Sequence, residues 1–108
     1  MRVISRRPLD QFAKIHPDAK TPLERWRQSA VGAEWSDFGS IRQTFPAADV
    51  FEKCVIFNIG GNKYRLIAAI HYRKTTNAGK VVEGRLYVRN VLTHAEYNKG
   101  AWKDDCTC

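Results

Sequence analysis

Apolar side chains recur at helical spacing through the first half of the chain. Ser5, a residue type that caps helices, precedes one apolar stripe, and Pro17 stops that stripe. Thr21 precedes a second stripe and forms with Glu24 the Thr-x-x-Glu pattern of a capping box. The elements predicted for this half are a short strand over 1–4 and helices over 5–16, 21–32 and 40–45.

The second half changes to alternating spacing, which is typical of strands. Gly60-Gly61 predicts a two-residue hairpin turn, and Thr93 with Glu96 predicts a capping box that opens a last helix. Strands are predicted over 53–59, 62–73 and 83–92, with a loop over 75–80. This order indicates an α+β domain over 1–103, with a small, mainly antiparallel sheet of about four strands and helices packed on it. Residues 104–108 are expected to form a short tail.

The predicted strands have an apolar face and a cationic face, because successive side chains of a strand point to opposite sides. In the strand over 62–73, the even positions are almost entirely apolar, and the odd positions include Lys63, Arg65, His71 and Arg73. In the strand over 83–92, one parity holds Leu86, Val88 and Leu92, and the other holds Arg85, Tyr87 and Arg89. If the two strands are neighbours, Arg65, Tyr87 and Arg89 line one patch. The alternative is an ordinary half-solvated sheet face.

The distribution of charge suggests a class of partner. The chain has 18 Lys and Arg against 11 Asp and Glu, for a formal net charge of +7. Eight of the basic residues but only two acidic residues lie within 62–99. A basic block of this kind favours a polyanion such as nucleic acid, the ribosome or an acidic protein. A basic surface that is simply solvated is the alternative.

The N-terminal residues and the cysteines indicate the compartment. Charged residues stand where a secretory signal needs an apolar stretch, and no run reaches the roughly 18 apolar residues of a membrane span. We therefore expect a cytoplasmic protein that does not contact membranes. Because the number of cysteines is odd, we expect reduced thiols, with Cys54 packed in a strand and Cys106 and Cys108 in a free tail.

One reaction suits these residues, the metal-free cleavage of RNA by attack of a 2′-hydroxyl on the neighbouring phosphate. The basic half has no Asp-x-Asp or His-x-x-x-His pattern, so we expect neither a metal nor a cofactor. Cations stabilise the charge that grows on the phosphate, and His or Tyr side chains move protons. The candidate catalytic residues are Arg65 and Arg89 on the phosphate, and His94 and Tyr97 as proton carriers. Further RNA contacts are expected from Lys63, Arg73, Arg85, Tyr87 and Lys99.

Three stretches of the sequence carry a resemblance to a known family. They are Phe45–Asp49 (FPAAD), Val55–Leu66 (VIFNIGGNKYRL) and Val91–Tyr97 (VLTHAEY). In this order and spacing they resemble the HigB family, the toxins of host-inhibition-of-growth toxin–antitoxin modules. Together with the opening residues, the resemblance spans about residues 1–99. It implies a RelE-like fold, which is a small antiparallel sheet flanked by helices.

The resemblance also implies an activity and a partner. It implies a bacterial endoribonuclease that cuts mRNA, in relatives usually in the ribosomal A site. A HigA-type antitoxin with a helix-turn-helix domain would neutralise it, and the protein would reach operator DNA only through that antitoxin. In RelE-like enzymes a central-strand arginine binds the scissile phosphate, and Arg65 stands at the matching position. His94 and Tyr97 match the THxEY pattern of the family.

Two other functions use the same basic residues. The first is a non-catalytic RNA-binding or ribosome-binding domain, in which the cations bind phosphates and no bond is cut. The second is a domain whose basic face receives an acidic peptide. Cleavage of mRNA distinguishes the toxin from both.

Overall fold

The computed structural model, which describes residues 1–4 and 6–106, has helices in the first half of the chain and mainly strands in the second. The first half contains β1 (Arg2–Ile4), α1 (Arg6–Ile15), α2 (Lys20–Gly32) and α3 (Phe38–Thr44). The strands that follow are β2 (Asp49–Phe51), β3 (Cys54–Ile59), β4 (Tyr64–His71), β5 (Lys74–Thr75), β6 (Val81–Val82) and β7 (Arg85–Thr93). The last elements are α4 (His94–Lys99) and a 3-10 helix over Ala101–Cys106, the C-terminal segment.

Five strands form one sheet in the order β1-β7-β4-β3-β2. β1 pairs with β7 in parallel, and the remaining pairings in this sheet are antiparallel. The short strands β5 and β6 form a separate two-stranded ladder around the predicted loop. The predicted α+β class with a mainly antiparallel sheet is confirmed. β2 was not predicted, because three residues are too short to show an alternating pattern.

The helix boundaries show where local sequence signals determine the ends of elements. At α4 both hydrogen bonds of the predicted capping box form between Thr93 and Glu96. At α2 the prediction is wrong, because a 3-10 turn over Pro17–Ala19 leads directly into a helix that begins at Lys20. Thr21 therefore lies inside the first turn of α2 and not at its N-cap.

The main core lies between the helices and one face of the sheet. Its centre is Phe57 of β3, which is fully buried. The ring of Phe57 lies 5.4 Å from that of Trp26, 5.3 Å from that of Phe45 and 6.1 Å from that of Trp35. Each such aromatic pair adds about 0.5–1.5 kcal/mol beyond the apolar area that it buries. These contacts fix α2 and α3 on β3, so that the opposite face of the sheet is left for other residues.

A β-bulge in β7 changes which side chains lie on that opposite face. The pairing of β7 with β4 skips Arg89, which is the extra residue of the bulge. Beyond it the alternation is reversed, so that Val91 packs on the main core and Leu92 on the other side. The prediction that Leu92 shares a face with Leu86 and Val88 is therefore wrong.

The C-terminal segment covers part of the opposite face and forms a second apolar cluster there. Trp102 and Cys106 of the segment are buried with Ile56, Ile67 and Cys54 of the sheet. Cys54 and Cys106, which are 52 positions apart, form a disulfide with their Cα atoms 5.5 Å apart. The prediction of reduced thiols is wrong for these two cysteines, because an odd count leaves two of the three free to pair. Cys108 lies outside the described residues.

Candidate functional site

Arg65 is held firmly at the start of β4, on the face opposite the main core. Its side chain is largely buried, with 8% of the residue exposed. The guanidinium donates to the carbonyl oxygens of Asn62 at 3.1 Å and Tyr64 at 3.2 Å, and to the side-chain oxygen of Asn62. All three acceptors are neutral. The positive charge of Arg65 is therefore oriented by these contacts but is not cancelled by them.

The turn between β3 and β4 brings Asn62 onto Arg65. Strand β3 ends at Ile59 and β4 begins at Tyr64, so the turn has four residues and the predicted two-residue hairpin turn is wrong. Gly60 and Gly61 both have left-handed backbone angles, with φ of 64° and 69°. Glycine adopts such angles without the steric penalty that a Cβ imposes. The tight path lets both the backbone and the side chain of Asn62 face the guanidinium.

Tyr97 of α4 packs against the same guanidinium. The Arg65 Cζ atom lies 5.2 Å from the centre of the Tyr97 ring, within the range of a cation–π contact. The Trp102 ring lies parallel to the Tyr97 ring at 5.2 Å, and its Nε1 donates to the Tyr97 carbonyl at 3.0 Å. Sequence reasoning did not assign a role in the site to Trp102. The sequence signal that could have identified Trp102 is its position five residues after the candidate catalytic Tyr97, within reach of it across one turn of the chain.

His94 is the first residue of α4 and is exposed. Because it precedes Tyr97 by three positions, the two side chains lie on the same side of the helix. The Asn98 side-chain amide lies within hydrogen-bond distance of His94 Nδ1, at 3.0 Å. Nε2 is therefore the atom of His94 that is left to contact a ligand.

Lys63 and Lys99 lie near this end of the sheet. Lys63 forms an ion pair with Asp18, and the Tyr64 hydroxyl donates to the same carboxylate at 2.7 Å. The hydrogen bond that Lys63 donates to the Asp18 carboxylate raises the pKa of Lys63 above its usual value. Lys99 is exposed in the last turn of α4. We call Arg65, His94 and Tyr97, with Asn62 and Trp102, the Arg65 cluster.

The structure places three of the other predicted residues toward the opposite end of the sheet and the fourth, Arg89, at the bulge midway along β7. We call them the distal group; they are Arg73, Arg85, Tyr87 and Arg89. Tyr87 is in register with Ala69, four positions along β4 from Arg65, which corresponds to a separation of roughly 13 Å. The buried Ile67 lies between these two positions. Arg65 and Tyr87 of the predicted patch are therefore separated by a buried residue, and Arg89 lies between them at the bulge.

Members of the distal group surround His71. The ring of His71 contacts that of Tyr87 edge to face at 5.6 Å, and Arg85 is its partner in the ladder. Arg89 and His71 both line a cavity of about 540 Å³ that Asp105 also borders. Arg73 lies 3.9 Å from Glu34, and both of these side chains are well exposed. The distal group thus places several cationic side chains around His71 and the cavity that His71 lines.

A second histidine, which sequence reasoning treated as part of a helical stripe, lies beside the Arg65 end of the sheet. The ring of His16 is 5.4 Å from that of Tyr64. Hydrogen bonds from Thr93 are the main cause that lowers the pKa of Glu96, and the nearby His16 contributes to the same shift. Tyr64 is in register with Thr93, which places His16 on the helical side of the strand end that carries α4. No motif in the sequence points to this proximity.

Within residues 1–4 and 6–106, no group of three or more His, Cys, Asp or Glu side chains is arranged to hold a metal ion. In the same part of the chain, no helix has the length and apolar character needed to cross a membrane.

Comparison with known proteins finds relatives along most of the chain. It is 28% identical over 101 residues to the mRNA interferase toxin HigB of Escherichia coli (strain K12), covering 91% of this chain and 88% of that protein. The same figures hold for the mRNA interferase HigB of Shigella flexneri. A third relative, the mRNA interferase HigB of Escherichia coli O6:H1, is 28% identical over 102 residues, with 92% and 90% covered.

The family match covers the residues of the Arg65 cluster except Trp102. Residues 19–100 match the HigB_toxin family, described as the RelE-like toxic component of a toxin-antitoxin system. This range includes the stretches around Arg65 and His94 that carry the resemblance in the sequence, and that resemblance is confirmed. The chain belongs to the HigB toxin family, the RelE-like toxic components of toxin–antitoxin systems.

Proposed function

We propose that this protein is a metal-independent endoribonuclease that cleaves mRNA on the ribosome. The relatives in Escherichia coli and Shigella flexneri are named mRNA interferases. The observation that carries the proposal is the Arg65 guanidinium, which is buried, oriented by neutral acceptors and packed on Tyr97. An uncancelled cation in such a place attracts a phosphate.

Arg65 has donors left for a phosphate. In the described part of the chain, its contacts with Asn62 and Tyr64 use three of the five N–H bonds of the guanidinium. The other two bind oxygens of the scissile phosphate in the proposed reaction. They stabilise the additional negative charge that develops as the 2′-oxygen attacks phosphorus.

His94 and Tyr97 carry the protons. One accepts the proton of the 2′-hydroxyl, and the other donates a proton to the departing 5′-oxygen, so that a 2′,3′-cyclic phosphate and a 5′-hydroxyl result. Proton transfer by a positioned side chain contributes about 10²–10⁴-fold to a rate. His94 presents Nε2 to the RNA, because Asn98 contacts Nδ1. Lys63 and Lys99 contact the RNA backbone on either side of the Arg65 cluster.

The distal group binds RNA without taking part in the chemistry. Arg89, predicted to contact the scissile phosphate, is on the bulge midway along the β4–β7 ladder and borders the His71 cavity. Arg73 and Arg85 are cations around the same His71, and the Tyr87 ring offers a surface on which a base stacks. In this proposal they bind the ribosome or the flanking message.

A HigA-type antitoxin with a helix-turn-helix domain is the proposed neutralising partner, as the toxin–antitoxin family requires a partner of that role. The toxin would act in the cytoplasm and reach operator DNA only within that complex. If a helix-turn-helix gene lies beside this one, its co-expression should restore growth, and the two proteins should purify together.

Cleavage of a defined message tests the activity. The purified chain is added to translating ribosomes and to free RNA, and the new 5′ ends are mapped. Arg65→Lys keeps a positive charge but loses the fork that binds two oxygens, so we expect the rate to fall by roughly 10²-fold or more. Arg42→Ala is the matched control, because Arg42 lies on α3 and donates to the Pro46 carbonyl. Salt-sensitive RNA binding without any cut ends would overturn the proposal and favour a non-catalytic RNA-binding domain.

A further inference from the structure

We propose that Trp102 is a positioning residue for Arg65 and Tyr97, and that the Cys54–Cys106 disulfide makes RNA cleavage depend on the thiol–disulfide state of the protein. This inference rests on the RNA cleavage proposed above. It assigns a role to the C-terminal segment, which lies beyond the residues that match the family.

A continuous series of contacts joins the disulfide to the Arg65 guanidinium. Cys106 and Trp102 belong to the same 3-10 segment and are buried in the same apolar cluster. Trp102 stacks on Tyr97 and also donates a hydrogen bond to its carbonyl. Tyr97 in turn packs on Arg65. A displacement of Trp102 therefore changes the surface that holds the Tyr97 ring, and with it one side of the guanidinium.

The C-terminal segment depends on its anchors, because a six-residue 3-10 helix has little stability of its own. The anchors beyond Trp102 include the disulfide to β3, a hydrogen bond from the Lys53 amide to the Cys106 carbonyl at 3.3 Å, and one from the Asn90 side chain to Asp105 at 3.0 Å. The disulfide is the only covalent anchor among these. Once it opens, the segment is held on β3 and β7 by non-covalent contacts alone.

The disulfide is placed so that reduction requires the segment to open. Both cysteines are 1% exposed, so a reductant reaches the sulfur atoms only after local opening. A dithiol then attacks one sulfur and resolves the mixed disulfide, so that two electrons pass to the protein, two Cys thiols form and the reductant becomes a cyclic disulfide. In a reducing cytoplasm such a bond is usually transient. The cleavage rate would then differ between the oxidised and reduced protein.

The first test compares the full chain in two redox states. One sample is kept oxidised and the other is reduced with dithiothreitol, with mass spectrometry after alkylation to count free thiols. We expect reduction to lower the maximal cleavage rate between about 10-fold and 100-fold, as for small misplacements of catalytic groups, while the affinity for RNA stays unchanged. Re-oxidation with oxidised glutathione should restore the rate. The near-ultraviolet circular dichroism of the stacked rings should change in parallel.

Variants separate positioning from folding. Cys54→Ser with Cys106→Ser should reproduce the reduced protein in the absence of dithiothreitol, whereas Cys108→Ser, which leaves the bond intact, should behave like the unchanged chain. Trp102→Phe keeps an aromatic ring against Tyr97 and should retain most of the rate, while Trp102→Ala should lose it even where far-ultraviolet circular dichroism shows a folded chain. Equal cleavage by the oxidised and reduced chains would overturn the inference. Absence of cleavage by the oxidised chain would instead overturn the proposed function, and this inference with it.

Discussion

Asp18 joins the turn before α2 to the beginning of β4. Its carboxylate pairs with the Lys63 ammonium and accepts a hydrogen bond from the Tyr64 hydroxyl. The hydrogen bond from Lys63, followed by that from Tyr64, lowers the pKa of Asp18 below 3.8. The same carboxylate raises the pKa of Tyr64. One acidic residue thus fixes the two side chains that precede Arg65 in the strand.

The lowered pKa of Asp18 gives the stability of the protein a defined dependence on pH. Because the folded state holds the carboxylate in its charged form, the contribution is present above about pH 4 and is lost as the pH falls through the folded pKa. We expect Asp18→Asn to reduce the free energy of unfolding at pH 7 and to lose less of it between pH 4 and pH 2. The free energy of unfolding of Tyr64→Phe should depend on pH to a degree between those of the unchanged chain and of Asp18→Asn. Urea unfolding at a series of pH values measures this, and parallel curves for all three proteins would contradict it.

At the level of the elements, Gly61 and Gly32 separate the effect of backbone conformation on stability from that of packing, because both glycines have open surroundings. A Cβ added at Gly61 in the β3–β4 turn or at Gly32 at the end of α2 would meet no heavy atom within 4 Å. Gly61, however, has a φ of 69°. We expect Gly61→Ala to cost about 1 kcal/mol, and Gly32→Ala to stabilise the protein by about 0.4–1 kcal/mol. Thermal unfolding measures both, and equal shifts of the melting temperature would contradict the assignment of strain to the turn.

The elements that the sequence predicts well are those whose signals lie within a few residues. The capping box of α4 needs only Thr93 and Glu96, and both bonds form. The box expected at Thr21 fails because the preceding turn already supplies a helical start. The face of Leu92 depends on the bulge at Arg89, which is a property of the pairing with β4 and not of β7 alone. Alternation within one strand therefore cannot predict it.

At the scale of the whole molecule, the residues of the candidate site that stand in local motifs are predictable from the sequence, and those that join the site through long-range contacts are not. Arg65, His94 and Tyr97 stand in motifs that resemble the family, and the structure brings Arg65 and Tyr97 into contact. Trp102 joins them only because the C-terminal segment folds back and Cys106 pairs with a residue 52 positions away. The separation of Tyr87 and Arg85 from Arg65 follows from register and from the buried Ile67 between them. The position of Trp102 and the register of the strands are long-range properties, which the alternation of side chains within one strand cannot predict.

The two separated groups of cations should affect RNA cleavage in different ways. Arg85 is exposed at the end of the sheet opposite Arg65, and Arg89 is exposed at the bulge midway along β7. If they bind phosphates of the message or of ribosomal RNA, Arg85→Gln with Arg89→Gln should weaken binding and reduce the slope of log affinity against log salt by roughly 0.7 per lost contact. Since the proposed function gives these residues no contact with the reacting phosphate, the maximal cleavage rate at saturating substrate should stay the same. Arg65→Lys should show the reverse pattern, with a lower maximal rate and a nearly unchanged salt slope. A fall in the maximal rate for the Arg85 and Arg89 variant, measured alongside Arg42→Ala, would instead place Arg89 among the catalytic residues.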